Sequence, residues 1–569
     1  MKKRFFILLI FSLSLTVFGV AVEEWKWGFD GTITETHINP LSVMISNPMP
    51  VPFDGMIELQ KINHMGSSIG APLLKKIFLA PYATRWVQFY PYVRSSQEDW
   101  RLSWGKRPNQ NTVIKVSSAK GRAYVMLVSE GPLLSKGRVR LPFFRENLFP
   151  PTVAATDGLA GVVINKIPEF TPLQRRAFHD WLYAGGKVYI IESDGRFPDF
   201  GSDYSYLDFQ GNRAEVGAGE VIKYSGNKIL TSADLGAAGK IKVAENQIYM
   251  QDVEDSFFRK LRSQLKTNHN WILIFLISIV YGLMVTVVNF IIGRKSKKAW
   301  KPILFFLSMV IIFSLLLAWC GRRGYGEKSQ ILALTYAKEL EPGHFALSQW
   351  MDIFVTDGDY YKITHKDRNN IYADCQTNNS LNAEIYNGKD GVFLVDIPLF
   401  SSMQLFHRTD AYTSKPLNVK ATSASNGDFT SISVELSEDF PRPVLEVIAV
   451  VNGKVYPLSS GKLWNKFQCK SISNPDDVSK YIRDWNNSGG FYNFYSSDEK
   501  PEKVFKSMIA PLIIRSRGGD KVIDDYYPTS AATDNKMDIY VMTSTPDGFK
   551  TKGDIFKNEK GYTLFHFVR

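Results

Sequence analysis

Few residues in this chain have types and spacing suited to chemistry. Gly66-Ser67-Ser68-Ile69-Gly70 matches G-x-S-x-G, the pattern that in a hydrolase sets a nucleophilic serine on a sharp turn from strand to helix. Strand-like runs flank it on both sides and Ala71-Pro72 follows, so Ser68 is expected in a hairpin loop. Ser117-Ser118-Ala119-Lys120 matches S-x-x-K, whose lysine activates the serine across one helical turn. This segment reads instead as a strand end and a turn. Gly217-Ala218-Gly219 precedes a strand, whereas a phosphate cradle follows one and opens a helix. A tight turn is the expectation there. His179 stands beside Asp180 and Trp181, and His344, His365, His407 and His566 are scattered singly. With no H-E-x-x-H or paired-ligand spacing, neither a metal centre nor a cofactor is expected.

Asp157, Asp194 and Asp199 fall near predicted strand ends of an α/β region, where open sheets of that kind bind ligands. They are the candidate small-molecule site, and turn-forming aspartate beside glycine is the competing account. Of three cysteines, Cys320 closes an apolar run and Cys375 and Cys469 lie in the C-terminal flank. There is no CxxC, so zinc and thioredoxin-type chemistry have no foothold. An oxidising compartment would allow Cys375 and Cys469 to pair if their Cα atoms approach within ~7 Å.

The elements that must position these residues are organised around two uncharged apolar runs, residues 271–293 and 303–320, of 23 and 18 residues. A helix needs ~20 apolar residues to cross a bilayer, and backbone at that depth must be helical throughout. Gly282 and Asn289 in the first run are expected to face the partner helix. The connector 294–302 carries Arg294, Lys295, Lys297, Lys298 and Lys301, which agrees with the positive-inside bias. At the N-terminus Lys2, Lys3 and Arg4 precede the apolar residues 5–17, and Gly19-Val20-Ala21 offers small residues. This predicts a secretory signal peptide over 1–21 cut after Ala21, an uncleaved anchor being the alternative. By parity both flanks then lie outside a bacterial cytoplasmic membrane. Arg259, Lys260, Arg262, Lys266, Arg322 and Arg323 would sit on the outer side, in reach of lipid phosphates.

The flanks have the composition of folded domains. Aromatic residues make up 13% of the 569 residues, which excludes a disordered chain. The net charge of +12 suits anionic lipid or cell-wall polymer. No aromatic-interleaved basic stripe marks a nucleic-acid surface. Residues 22–121 read as short alternating strands punctuated by Pro and Gly, the pattern of an immunoglobulin-like β-sandwich. From 122 to 255 the grammar changes to continuous apolar strands, RAYVMLVSEG and GLAGVVIN, then the helix TPLQRRAFHDWLYAGG, then the strand KVYIIES. Thr171, Pro172 and Gln174 supply an N-cap, a first helical position and a capping box. Leu173, Ala177, Trp181 and Ala184 fall on one face. A doubly wound α/β domain follows from the βαβ order. Residues 325–569 read as a mainly β domain, with Asn-Gly hairpin turns at Asn387-Gly388 and Asn452-Gly453 and helices near 476–490 and 501–519.

This order of parts resembles a group of bacterial membrane proteins with a signal peptide, an outer β-sandwich, a class I glutamine amidotransferase-like α/β domain, a two-helix transmembrane hairpin and an outer β-rich domain. The likeness rests on NPLSVMISNPMPVPFDGMIEL, GLAGVVINKIPEFTPLQRRAFHDWLYAGGKVYIIE and VNFIIGRKSKKAWKPILFFLSMVIIFSLLLAWCGRRG. More distantly, the middle segment is similar to the auxiliary domain of gliding-motility-type ABC transporters. The resemblance implies a fold and an address, and no reaction. Amidotransferases act through a nucleophilic cysteine, and residues 1–319 contain none, so that chemistry is excluded for this domain. The expected function is a non-catalytic, membrane-anchored binding or scaffold protein of the envelope. Its partners would be the lipid bilayer and an envelope protein such as a transporter component, with no nucleic acid. An envelope hydrolase with a site invisible in sequence is the alternative. Signalling through the nine-residue loop ranks below both.

Overall fold

The computed structural model describes residues 20–107, 109–116, 119–129, 139–192, 195–225, 230–231, 235, 248–265, 271–296, 298, 300–321, 329–366, 369–375, 380–426, 429–461, 463–469, 475–487, 499–516, 521–522, 536–552 and 559–569. The predicted signal segment lies almost wholly outside these residues.

Alternation in the N-terminal flank produces antiparallel ladders. Phe53–Ile62 pairs with Ser68–Leu79, and between them Gly66 adopts φ +79°, a conformation that favours glycine. A three-stranded sheet of Ala21–Trp27, Leu41–Ser46 and Thr84–Phe89 packs against the larger one. The larger sheet does not end with this flank. Its order is Asn111–Lys115, Asp99–Ser103, Phe53–Ile62, Ser68–Leu79, then Ala383–Tyr386, Val392–Ile397 and Asp359–Ile363. Ile385 registers with Leu73 in parallel, and Leu381 N–H donates to Gly70 O at 3.2 Å. Their shared core joins Ile57, Leu59, Leu73 and Leu102 to Met351, Ile353, Phe393 and Val395. The flanks expected as separate domains therefore fold around common apolar surface.

The middle region forms a six-stranded sheet. Phe143–Arg145, Ala123–Val128, Leu159–Ile164, Lys187–Ile191 and Gly219–Tyr224 run parallel, with Arg213–Val216 antiparallel at the edge. Helix α1 (Pro172–Tyr183) begins with the expected Thr171–Gln174 capping box. Its buried face holds Gln174, Ala177, Phe178 and Trp181, while Leu173 is exposed. Strand alternation sends Val162, Val188 and Ile190 towards α1 and Val163, Tyr189 and Ile191 to the other face, beside Leu230 and Leu235. Among the described residues that second face carries the short pairing of Val139–Arg140 with Leu230–Thr231, and no α-helix.

Most of the C-terminal flank is one twelve-stranded sheet, in which Gln330–Glu341 and Lys560–Val568 are central parallel neighbours. Alternation again divides it. Ile448 and Val450 face a core covered by α2 (Met250–Leu265), and Val447 and Ala449 face the opposite core. After α2 come the apolar helices. The first, α3, comprises Trp271–Leu283, a π turn Met284–Val288 and Asn289–Lys295. The second is α4 (Trp300–Gly321). Phe275–Lys295 is long and apolar enough to cross a membrane, with mean hydropathy 2.4 and none of it buried. Tyr281 and Phe313 bring the two helices together, ring centroids 5.1 Å apart. Gly282 was expected against the partner helix, but a Cβ there would meet open space; the Thr286 hydroxyl instead donates back to Gly282 O at the π turn, at 2.6 Å. Near the chain end, α5 (Val478–Asn487), α6 (Pro501–Lys506) and α7 (Ile509–Ser516) pack beside α2.

Candidate functional site

Two polar regions flank α2, and they differ in kind. The first is a buried junction. Apolar periodicity in α2 turns Val253, Phe257 and Leu261 onto the sheet, and this carries Glu254 inward with them. Its carboxylate accepts from the Tyr92 hydroxyl and from Trp350 Nε1 at 3.4 Å, and lies 3.5 Å from the Arg515 guanidinium of α7. Arg515 donates to Thr36 Oγ1 at 2.9 Å and also to Thr36 O. Burial pushes the Glu254 carboxyl up, opposed by Arg515 and the Tyr92 hydroxyl. Burial and Arg515 hold neighbouring His37 down at about 3, so its ring is neutral. An N-terminal strand, α2 and a C-terminal helix thus meet on one ion pair that is out of water.

The second region is a cleft of about 530 Å³ at the end of α2, within the size range of small-molecule sites. Gln264 comes from the last turn of α2 and Gln330 from the first residue of the strand after α4. Gly561 lets its strand approach closely, since a Cβ there would fall 2.5 Å from Ala333 O. Arg442, Lys550 and Lys560 bring positive charge to the lining, Asp547 and Glu559 negative, and Phe505 and Tyr562 aromatic surface. Asp547 is engaged by Lys550 at 2.7 Å. The Arg442 guanidinium rests 3.7 Å from the Trp464 ring centroid. Glu559 Oε2 accepts from Thr551 N–H at 2.7 Å and from its hydroxyl at 2.6 Å. Glu559 Oε1 and Gln264 Nε2 are buried and have no hydrogen-bond partner. Burial pushes the Glu559 carboxyl up, with Thr551 drawing it back. The cleft's serine and threonine hydroxyls are occupied: Ser544 donates to Arg442 O at 2.6 Å, and Thr545 accepts from Thr563 at 3.2 Å. Among the described residues no histidine lines it. Among the described residues this is an inventory for holding a polar ligand, with no nucleophile paired to a base.

The residues singled out by sequence are dispersed. Asp157 precedes the strand Leu159–Ile164, so it lies at the amino end, away from the carboxyl ends where such sheets bind ligands. It is ion-paired with Arg408 through both oxygens, and that guanidinium outweighs burial to lower its carboxyl. Asp199 is exposed on the loop after Lys187–Ile191 and accepts from Gly201 N–H at 3.2 Å, a turn contact. Asp194 lies outside the described residues, as do Ser117 and Ser118. Ser68 opens a strand and receives Arg101 Nη2 at 2.8 Å. Gly217 turns the hairpin between Arg213–Val216 and Gly219–Tyr224 at φ +59°. Cys375 and Cys469 do not pair with each other. They belong to the cores on opposite faces of the twelve-stranded sheet, which keeps them apart. Lys260, expected near lipid, is turned inward over the Trp485 ring at 5.2 Å, and burial lowers it to about 8.

Two histidines scattered in sequence do meet. His365 and His407 stack at 3.8 Å between ring centroids. His407 Nδ1 donates to Gln349 Oε1 at 2.7 Å, and the Gln349 amide donates to Thr335 Oγ1 and Phe549 O. The Tyr372 hydroxyl bonds His365 Nδ1 at 2.7 Å. Buried and stacked, this network specifies packing. Among the described residues no cluster could hold a metal ion. The lining of the cleft comes from many separate segments of chain, so no local pattern in the sequence marks it.

No family model matches the chain, and no curated protein matches it. Solved structures with distant similarity include a cycloisomaltooligosaccharide glucanotransferase of a Paenibacillus species complexed with cycloisomaltoheptaose. It is 6% identical, aligned over 79% of this chain and 98% of that one, with a TM-score of 0.16. A β-glucuronidase of glycoside hydrolase family 2 is 10% identical over 98% of this chain and 62% of that one, with a TM-score of 0.13. At these scores neither likeness carries an argument about fold or activity.

Proposed function

We propose that this chain is a membrane-anchored binding or scaffold protein whose two flanks form one extracytoplasmic body, held to a bacterial cytoplasmic membrane by the α3–α4 hairpin. The observation that carries the reading is the pairing of Ala383–Tyr386 with Ser68–Leu79. Segments that share a sheet and a core stand on one side of any bilayer. If α3 crosses, α4 returns. Phe290, Ile303 and Leu315 are among the large apolar side chains that these helices expose, which suits lipid as their solvent. The basic connector favours the cytoplasmic face. The middle sheet, with its strand–α1–strand order, suits the amidotransferase-like α/β assignment in a form stripped of its nucleophile. A binding role, to a ligand or to an envelope protein such as a transporter component, suits a cleft furnished with charge and aromatic surface, in which the described residues form no nucleophile–base pair.

Reporter fusions near residue 200, within 295–300 and at the C-terminus test the topology. The expected pattern is outside, inside, outside. A C-terminal fusion active only in the cytoplasm would end the proposal, because the shared sheet would be impossible. Purification in mild detergent is expected to recover a stoichiometric protein partner, and repeated recovery of the chain alone would count against the scaffold role.

A further inference from the structure

We propose that the cleft at the foot of α2 binds the headgroup of an anionic glycerophospholipid, its phosphate held by Arg442, Lys560 and the Gln264 amide and a headgroup hydroxyl held by Glu559. The inference rests on the membrane reading above and adds a ligand class to it.

The first ground is position. Gln264 stands seven residues before Trp271, where α3 begins, and Gln330 nine residues after Gly321, where α4 ends. A chain spans at most ~3.3–3.6 Å per residue. The lining is therefore tethered on both sides within about 25–30 Å of the first and last turns of the hairpin. Amphiphile headgroups are concentrated in that layer.

The second ground is unmet hydrogen-bonding capacity. Buried donors and acceptors are nearly always paired. Gln264 Nε2 and Glu559 Oε1 are not, and Glu559 is 9% exposed. A donor and an acceptor left open in one cleft match a ligand with an acceptor and a donor of its own. A phosphate diester carrying free hydroxyls is such a ligand.

The third ground is charge. Lys550 is engaged with Asp547. Arg442 and Lys560 have no carboxylate partner among the described residues, which leaves two cations at the lining for one phosphate. Phe505 and Tyr562 offer apolar surface to the glycerol carbons. A zwitterionic headgroup brings its own cation and meets these two with repulsion.

The test uses the full chain in detergent micelles, titrated calorimetrically with dihexanoylphosphatidylglycerol, dihexanoylphosphatidylcholine and inorganic phosphate. Saturable binding of the glycerol lipid alone is expected. In the Arg442→Gln/Lys560→Gln double variant its affinity should fall about tenfold per cation, the scale of one charge-assisted hydrogen bond. Lys415→Gln, an exposed lysine paired with Asp439, should change nothing. Equal affinity for inorganic phosphate would reassign the site to free phosphate and overturn the lipid. Equal affinity for the choline lipid, or undiminished binding by the double variant, would also overturn it. The three-ligand comparison on the native chain stands even if the double variant fails to fold. An alkaline wash of membranes separates the two proposals. A chain that stays in the pellet and ignores phosphatidylglycerol refutes the cleft alone, and a chain released to the supernatant refutes the anchor beneath it.

Discussion

Glu254 and Glu559 are both buried carboxylates near α2, and they have opposite surroundings. Around Glu254 a tyrosine hydroxyl, an indole N–H and a guanidinium converge. Glu559 has one oxygen satisfied by Thr551 and the other by nothing. The same asymmetry extends to the neighbours. Arg515 spends its remaining donors on Thr36, whereas Gln264 leaves Nε2 idle. Asp352 is paired across the sheet with Leu332, which lines the cleft, and it is fully buried, with Gln404 and Ser402 beside its carboxyl. Polar groups that join the flanks are complete within the chain. At the cleft, Glu559 and Gln264 each keep a buried polar atom that the chain does not pair. The first arrangement gives stability and specificity of docking, and the second gives a place for a ligand.

The largest effect should come from breaking the complete region. Arg515→Met leaves Glu254 buried without its cation, which costs about 3–5 kcal/mol. Denaturant unfolding of the detergent-solubilised chain measures it. Adding Glu254→Gln should recover much of the loss, since the uncompensated charge is the main penalty. A single-variant loss below about 1 kcal/mol would place the pair among weak surface bridges and erase the contrast.

Asp352 tests the other side, with a sign set by its titration. Burial pushes its carboxyl up to about 7, with Arg262, Gln404 and Ser402 drawing it down. Its folded pKa thus lies above the unfolded value of 3.8. Between those values the folded chain holds a proton that the unfolded chain releases, so stability falls as pH rises from about 4 to 7 and levels off above. Asp352→Asn should remove that slope. At pH 8 it should stabilise the chain by on the order of 2–4 kcal/mol, as one pKa unit is ~1.4 kcal/mol, with little change at pH 4. Parallel pH–stability curves for the two proteins would show that these neighbours offset the burial of Asp352.

Local signals were readable in the sequence, and long-range assembly was not. The Thr171–Gln174 box, the turn at Gly217 and the long apolar stretch of α3 each depend on neighbours within a few residues, and each appears in the structure. The joining of Ile385 to Leu73 depends on partners over three hundred positions apart, so a chain read in order divides into separate flanks there. Helix α1 shows the limit at smaller scale. Its spacing puts Leu173 on the inner face with Ala177 and Trp181, whereas in the structure Leu173 is exposed and Phe178 packs on the sheet. The candidate aspartates were chosen by proximity to strand ends. Which end of the strand Asp157 occupies was legible from order alone, because it precedes the apolar run. Its pairing with Arg408 was not. The cleft escaped for the same reason, since Gln264, Arg442 and Glu559 carry no shared motif.

Gln264→Leu provides the smallest effect and reverses its direction. Glutamine and leucine are similar in bulk, and Leu restores the apolar periodicity of α2 at a position whose amide nitrogen is buried and unbonded. Removing such a donor from an empty site releases a desolvation penalty, so unfolding in lipid-free detergent should show a gain of about 0.5–1 kcal/mol. Groups retained for binding commonly carry this signature of lost stability. In the presence of phosphatidylglycerol the native chain should regain the difference by linkage, and the variant should not. A Gln264→Leu chain that is destabilised without ligand would show that the amide already serves the fold, and the two regions would then differ in degree only.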